Sequence, residues 1–109
     1  MTSPHTTPVR IGSGSGFWGD GMDPAIELLK GGKLDYLCFD FLAELTMALL
    51  QRQVQRKPEL GYVPDAVQFM KTMMPIARET GTKLISNGGG VNVRGAAERM
   101  RNDAKAQGL

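Results

Sequence analysis

The chain has 109 residues, 41% of them apolar, with a formal net charge of +2. That length allows one domain with a small core, the apolar share excludes general disorder, and the charge balance singles out neither nucleic acid nor a membrane surface as partner. One cysteine, Cys38, excludes an internal disulfide, and the most apolar run, Tyr36 to Leu50, is interrupted by Asp40 and Glu44 and is too short to span a bilayer.

Residues 1–8, with two prolines and the only histidine, His5, read as a flexible leader without the apolar segment of a secretory signal. Val9–Ile11 reads as a first strand running into the glycine stretch Gly12 to Asp20, which holds the only tryptophan, Trp18. Asp23 as cap with Pro24 behind it predicts a helix start, and Gly31-Gly32 its stop. Leu34–Phe39 is almost continuously apolar, which suits a strand covered by helices on both faces. From Phe41 to Arg56 the apolar spacing is helical, with the first half expected to be heavily buried.

A further helix is expected over Asp65–Glu79, kinked or split at Pro75. Strand three follows at Lys83–Ser86. Asn92 should cap a last helix carrying Val93, Ala96, Ala97, Met100 and Ala104 on one face. Arg52, Arg56 and Lys57 at one helix end, and Arg94, Arg99, Arg101 and Lys105 on the last helix, read as solvated faces. No aromatic residues are interleaved with them as a single-strand nucleic-acid platform requires. Cys38 reads as an inert strand thiol. The expectation is a soluble, cytoplasmic protein with no nucleic-acid or membrane partner.

The order strand, helix, strand, two helices, strand, helix predicts an α/β fold. Its core would be a parallel three-stranded sheet with helices on its faces, as part of a larger α/β domain. An open doubly wound sheet is favoured over part of a barrel. In a parallel sheet the three strand-to-helix turns emerge together at the carboxyl edge, where α/β proteins bind ligands.

Gly14, Gly16 and Gly19 match the G-x-G-x-x-G spacing, with Asp40 at the end of strand two. However, the helix begins only at Asp23, and Phe17 and Trp18 fill the place of a close helix start. The stretch is thus read as a loop shaping a pocket, with Gly14, Gly16, Trp18 and Asp20 as candidate ligand-binding residues. A tight turn and a dinucleotide-binding half-domain are the alternatives. Asp40 and Glu44, four apart, are the candidate catalytic carboxylates, against a helix-capping role. The turn Asn87 to Asn92 precedes a helix N-terminus whose amides suit a carboxylate, phosphate or oxyanion. Asn87, Gly89, Asn92 and Arg94 complete the ligand-binding set. No metal-ligand spacing is present, and the residues define no cofactor.

Several blocks resemble the acyclic terpene utilisation (AtuA-like) family: Arg10-Ile11-Gly12, Gly16-Phe17-Trp18-Gly19-Asp20, Leu34-Asp35-Tyr36-Leu37, Asp40 to Met47, Leu60-Gly61-Tyr62, and Asn87 to Asn92. They run in the family's order across residues 9–109. The resemblance implies the N-terminal part of an α/β domain from proteins several hundred residues long. It implies degradation of citronellol- and geraniol-like terpenoids alongside acyl-CoA carboxylation. Here Gly88 stands where the family commonly has alanine, Val93 where it has proline, and Phe41 where tyrosine is frequent. The expected partners are a small-molecule or acyl-CoA-type ligand and the rest of a longer chain or a partner subunit, homo-oligomers included. A non-enzymatic scaffold domain whose open sheet edge docks a partner is the rival reading.

Overall fold

The computed structural model describes residues 7–109. The leader expected over residues 1–8, His5 included, lies outside the described residues except for Thr7 and Pro8. In chain order the elements are β1 (Ile11–Ser15), α1 (Asp23–Gly31), β2 (Tyr36–Phe39), α2 (Glu44–Arg56), α3 (Pro64–Thr80), β3 (Lys83–Ser86) and α4 (Val93–Ala106). The three strands form one parallel sheet in the order β1-β2-β3, the expected α/β architecture.

Among the described residues the strands wind in one direction. Strands that follow one another in sequence also neighbour one another in the sheet, so crossovers of one hand carry their helices over the same face. The reversal of strand order that marks a doubly wound sheet joins two such halves, and these three strands have the order of one half. Leu37 and Phe39 are buried on the helix side with Leu29, Ala66, Phe69, Met70 and Met73. On the opposite face Ile11 is 65% exposed and Ile85 50% exposed, while Tyr36 and Cys38 are half-buried. Among the described residues β2 is therefore covered by helices on one face, where two covered faces were expected.

β1 also runs further than expected, through the glycine stretch to Ser15. Glycine and serine alternate at the strand period, and the glycines fall on the crowded side. A Cβ at Gly14 would overlap the Phe39 ring, and one at Gly12 would meet Leu34 and Leu28. The pairing register shifts between Ser13 and Ser15, a bulge centred on Gly14.

The helices start and stop for identifiable reasons. α1 begins with Asp23 as its first helical residue instead of its cap. Met22 holds the cap position without a side-chain bond, and Gly32 ends the helix. α2 begins at Glu44, three residues later than expected, because Thr46 reaches back to the Ala43 amide and carbonyl. Its first half is not heavily buried: Leu45 is 70% exposed, and Leu50 is its one buried residue.

α3 continues through Pro75 as one unbroken helix. A proline lacks the N–H that would bond the carbonyl four residues back, here Lys71. The side-chain amide of Gln107, just past α4, donates to that Lys71 carbonyl at 3.1 Å. The vacated acceptor is thereby satisfied by the neighbouring helix, and it helps fasten α4 to α3. No helix among the described residues is long and apolar enough to cross a membrane.

Candidate functional site

Because the strands are parallel and, past the bulge at Gly14, Ser15 pairs with Phe39 and Phe39 with Ser86, these three residues end β1, β2 and β3 on one rim. The residues just beyond them are linked directly. The Ser15 hydroxyl donates to the Asp40 carbonyl at 3.1 Å. Nδ2 of Asn87 donates to Oδ1 of Asp40 at 2.8 Å, and Oδ1 of Asn87 accepts from the Phe41 N–H at 2.9 Å. The side chain of Asn87 thus clamps the end of β2 to the end of β3.

Asp40 caps no helix. Its Oδ1 also accepts from the Leu42 N–H at 3.2 Å, closing a tight turn ahead of α2. The Asn87 amide and, second to it, the Leu42 N–H hold this carboxyl below its usual range, against a small opposing effect of burial. Asp40 and Asn87 are both exposed. Glu44 is exposed at the first residue of α2. Since α2 begins only there, Asp40 and Glu44 do not share a helix face.

In the glycine loop after β1 the Asp20 side chain holds the first two amides. The Asp20 carboxylate accepts from Gly16 N–H at 2.6 Å and from Phe17 N–H at 3.3 Å, so a protein carboxylate already sits in the cradle a phosphate would use. Trp18 is half-buried against the core, whereas Phe17 is 58% exposed. Gly14 lies inside β1, where closeness to Phe39 requires it.

Most amides of the turn after β3 are engaged as well. Gly88 N–H donates to Ser86 Oγ, Gly90 N–H to the Asn87 carbonyl, and Asn92 N–H to the Gly89 carbonyl. Gly88 is buried, and a Cβ there would run into the Ala66 methyl group and crowd Phe41. Phe41, 1% exposed, packs edge-on to Phe69 with ring centroids 5.2 Å apart. A tyrosine hydroxyl at this position would need a partner inside the core.

Asn92 caps α4 as expected, accepting from Gly95 N–H at 3.0 Å. Its amide also donates to the Leu60 carbonyl at 2.8 Å, fixing the loop between α2 and α3. Arg94 lines, with Asn92, Glu59, Tyr62, Glu98 and Arg99, a cleft of about 430 Å³ beside that loop. The candidate residues therefore form two groups. Gly16, Trp18, Asp20, Asp40, Glu44, Asn87 and Gly89 follow the strand ends at the rim, and Asn92 and Arg94 lie at the α4 cleft.

Sequence reasoning missed Ser15 as a link in the rim. Its alternation with glycine signalled a strand, and a strand-terminal hydroxyl is placed to bond the neighbouring strand's end. Among the described residues no three His, Cys, Asp or Glu side chains gather as a metal site would require.

No curated protein and no solved structure matches the chain. The model of the acyclic terpene utilisation family protein AtuA matches residues 9–109, in agreement with the blocks at the glycine loop, the end of β2 and the turn after β3. The chain belongs to the acyclic terpene utilisation family AtuA.

Proposed function

We propose that the chain serves as the N-terminal part of a cytoplasmic terpenoid-catabolising protein, and that the carboxyl rim of its sheet binds the polar end of an acyclic terpenoid or acyl-CoA-type ligand. One observation carries the reading. Asp40 is oriented through Oδ1 alone, by Asn87 and Leu42, which leaves Oδ2 to accept from a ligand. A carboxyl held below its usual range is a weak base at neutral pH. It suits gripping a hydroxyl donor or steadying positive charge better than abstracting a proton.

In this reading Asp40 anchors the hydroxyl end of the ligand, and Glu44 supplies a second carboxylate from the start of α2. Gly16, Trp18, Asp20, Asn87 and Gly89 shape and hold the rim, and Gly14 lets β1 approach Phe39. Asn92 and Arg94 serve an anionic portion farther along the ligand. The rest of a longer chain, or a partner subunit, closes the pocket over the rim.

Calorimetric titration of the protein with geraniol and with an acyl-CoA tests the assignment. Geraniol binding that falls about tenfold in Asp40→Asn, as loss of a charge-assisted hydrogen bond implies, is the expected result. Equal affinity in wild type, Asp40→Asn and Glu44→Gln would remove the rim from the ligand's path.

A further inference from the structure

We infer that Asn87 is a site of self-modification: the Gly88 amide nitrogen displaces ammonia from the Asn87 side chain, and the hydrogen bonds at the rim set the rate. The inference does not depend on what the rim binds. Asn87 and Gly88 form the one Asn-Gly pair in the sequence. Glycine has no side chain to shield its nitrogen, and it gives the main chain the freedom that ring closure demands. The other two asparagines lack this setting. Asn92 is followed by β-branched Val93, and Asn102 lies inside α4, where the backbone is held in helical form.

The step balances with water as its only co-reactant. Gly88 N gives its proton to hydroxide and forms a bond to Asn87 Cγ. The Cγ–Nδ2 bond breaks, and Nδ2 leaves as ammonia with a proton taken from solvent. Water then opens the five-membered imide at one of its two carbonyl carbons. One opening leaves aspartate at position 87, and the other leaves isoaspartate, with the main chain rerouted through the former side chain. Either product has lost the Nδ2 donor that holds Asp40 and sets a second carboxylate beside it, where like charges repel.

In the folded chain each reacting group is engaged. The Gly88 N–H donates to Ser86 Oγ at 2.9 Å. Asn87 Nδ2 donates to Asp40 at 2.8 Å, and Oδ1 accepts from the Phe41 N–H at 2.9 Å. The main-chain carbonyl of Asn87 accepts from the Gly90 N–H at 3.2 Å, so the peptide between residues 87 and 88 is pinned at both ends. Buried Gly88 has little room to swing, since even a Cβ there would run into Ala66. Turning the Asn87 side chain back onto its own following nitrogen therefore requires the rim to open locally. The modification proceeds from that opened minority, and the clamp acts as its brake.

The test keeps the whole chain at mildly alkaline pH, folded or in concentrated urea, and follows ammonia loss by peptide mass spectrometry. Conversion should appear at residue 87 ahead of Asn92 and Asn102 in both conditions. It should be about tenfold or more slower in the folded chain, as two or more bonds opened together imply. Ser86→Ala, which frees the Gly88 N–H, should speed conversion of the folded chain about fivefold, the population factor that one hydrogen bond is worth. The same substitution should leave the rate in urea unchanged. Should the variant lose its fold, the contrast between folded and urea-unfolded wild type decides. Equal rates in the two conditions, conversion first at Asn92 or Asn102, or a folded Ser86→Ala chain converting at the wild-type rate would overturn the inference.

Discussion

Replacing Asn87 by alanine should cut both threads that join the ends of β2 and β3. The Phe41 N–H, bonded to Asn87 Oδ1 at 2.9 Å in a part-buried setting, would lose its acceptor at a cost of about 1 kcal/mol. For a domain of this size that corresponds to a fall in melting temperature of roughly 5 °C. The exposed Asp40 bond adds no separate figure, because solvent replaces Asn87 there. Asn87→Asp is the informative companion: it keeps an acceptor for Phe41 but sets a second carboxylate against Asp40. Urea denaturation of both variants, with NMR titration of the Asp40 carboxyl, reads the two threads apart. Alanine should destabilise, whereas aspartate should raise the Asp40 pKa through like-charge repulsion. An alanine variant as stable as wild type would show that the clamp carries no load, and the reasoning about the rim would fail.

Two further outcomes can be checked. Asp40 has a folded-state pKa below its unfolded value, so its contribution to stability is present above the unfolded pKa and is lost as pH falls through the folded one. The stability difference between wild type and Asp40→Asn should therefore vanish in that acid window and stay constant from there to neutral pH; a difference that grows on acidification would reverse the sign. Gly14→Ala should cost about 1–3 kcal/mol by forcing a methyl group into the Phe39 ring. Gly21→Ala, where a Cβ meets nothing within 4 Å, should stay within about 0.5 kcal/mol; equal effects in denaturant melts would refute the packing account.

The sequence made the alternation of strands and helices legible because each break has a local chemical cause. Gly81 adopts φ 74° where α3 ends, and Asn92 bonds Gly95 where α4 begins. What stayed hidden depended on distant partners. Nothing near Gly14 announces Phe39, twenty-five positions on, so a strand interior read as a loop. Nothing near Asp20 shows whether its carboxylate turns inward to Gly16 or outward to a ligand. The covering of β2 was hidden for a similar reason: it looks apolar enough for two covered faces, and among the described residues helices pack on only one of them. At the rim, the types of Asp40 and Asn87 were legible, but their partnership across forty-seven positions was not. The exposed start of α2 was misread because Leu45 and Leu49 keep helical spacing without a sheet beneath them.

Pro75 gives the two long helices a dependence on one another that neither has alone. Were residue 75 able to donate, the Lys71 carbonyl would be claimed within α3 and Gln107 would have no special place to bond. Substitutions at positions 75 and 107 should consequently be epistatic. Losing the glutamine is costly only while the proline stands, and an imino acid usually regarded as a helix's weak point is here a latch between neighbours.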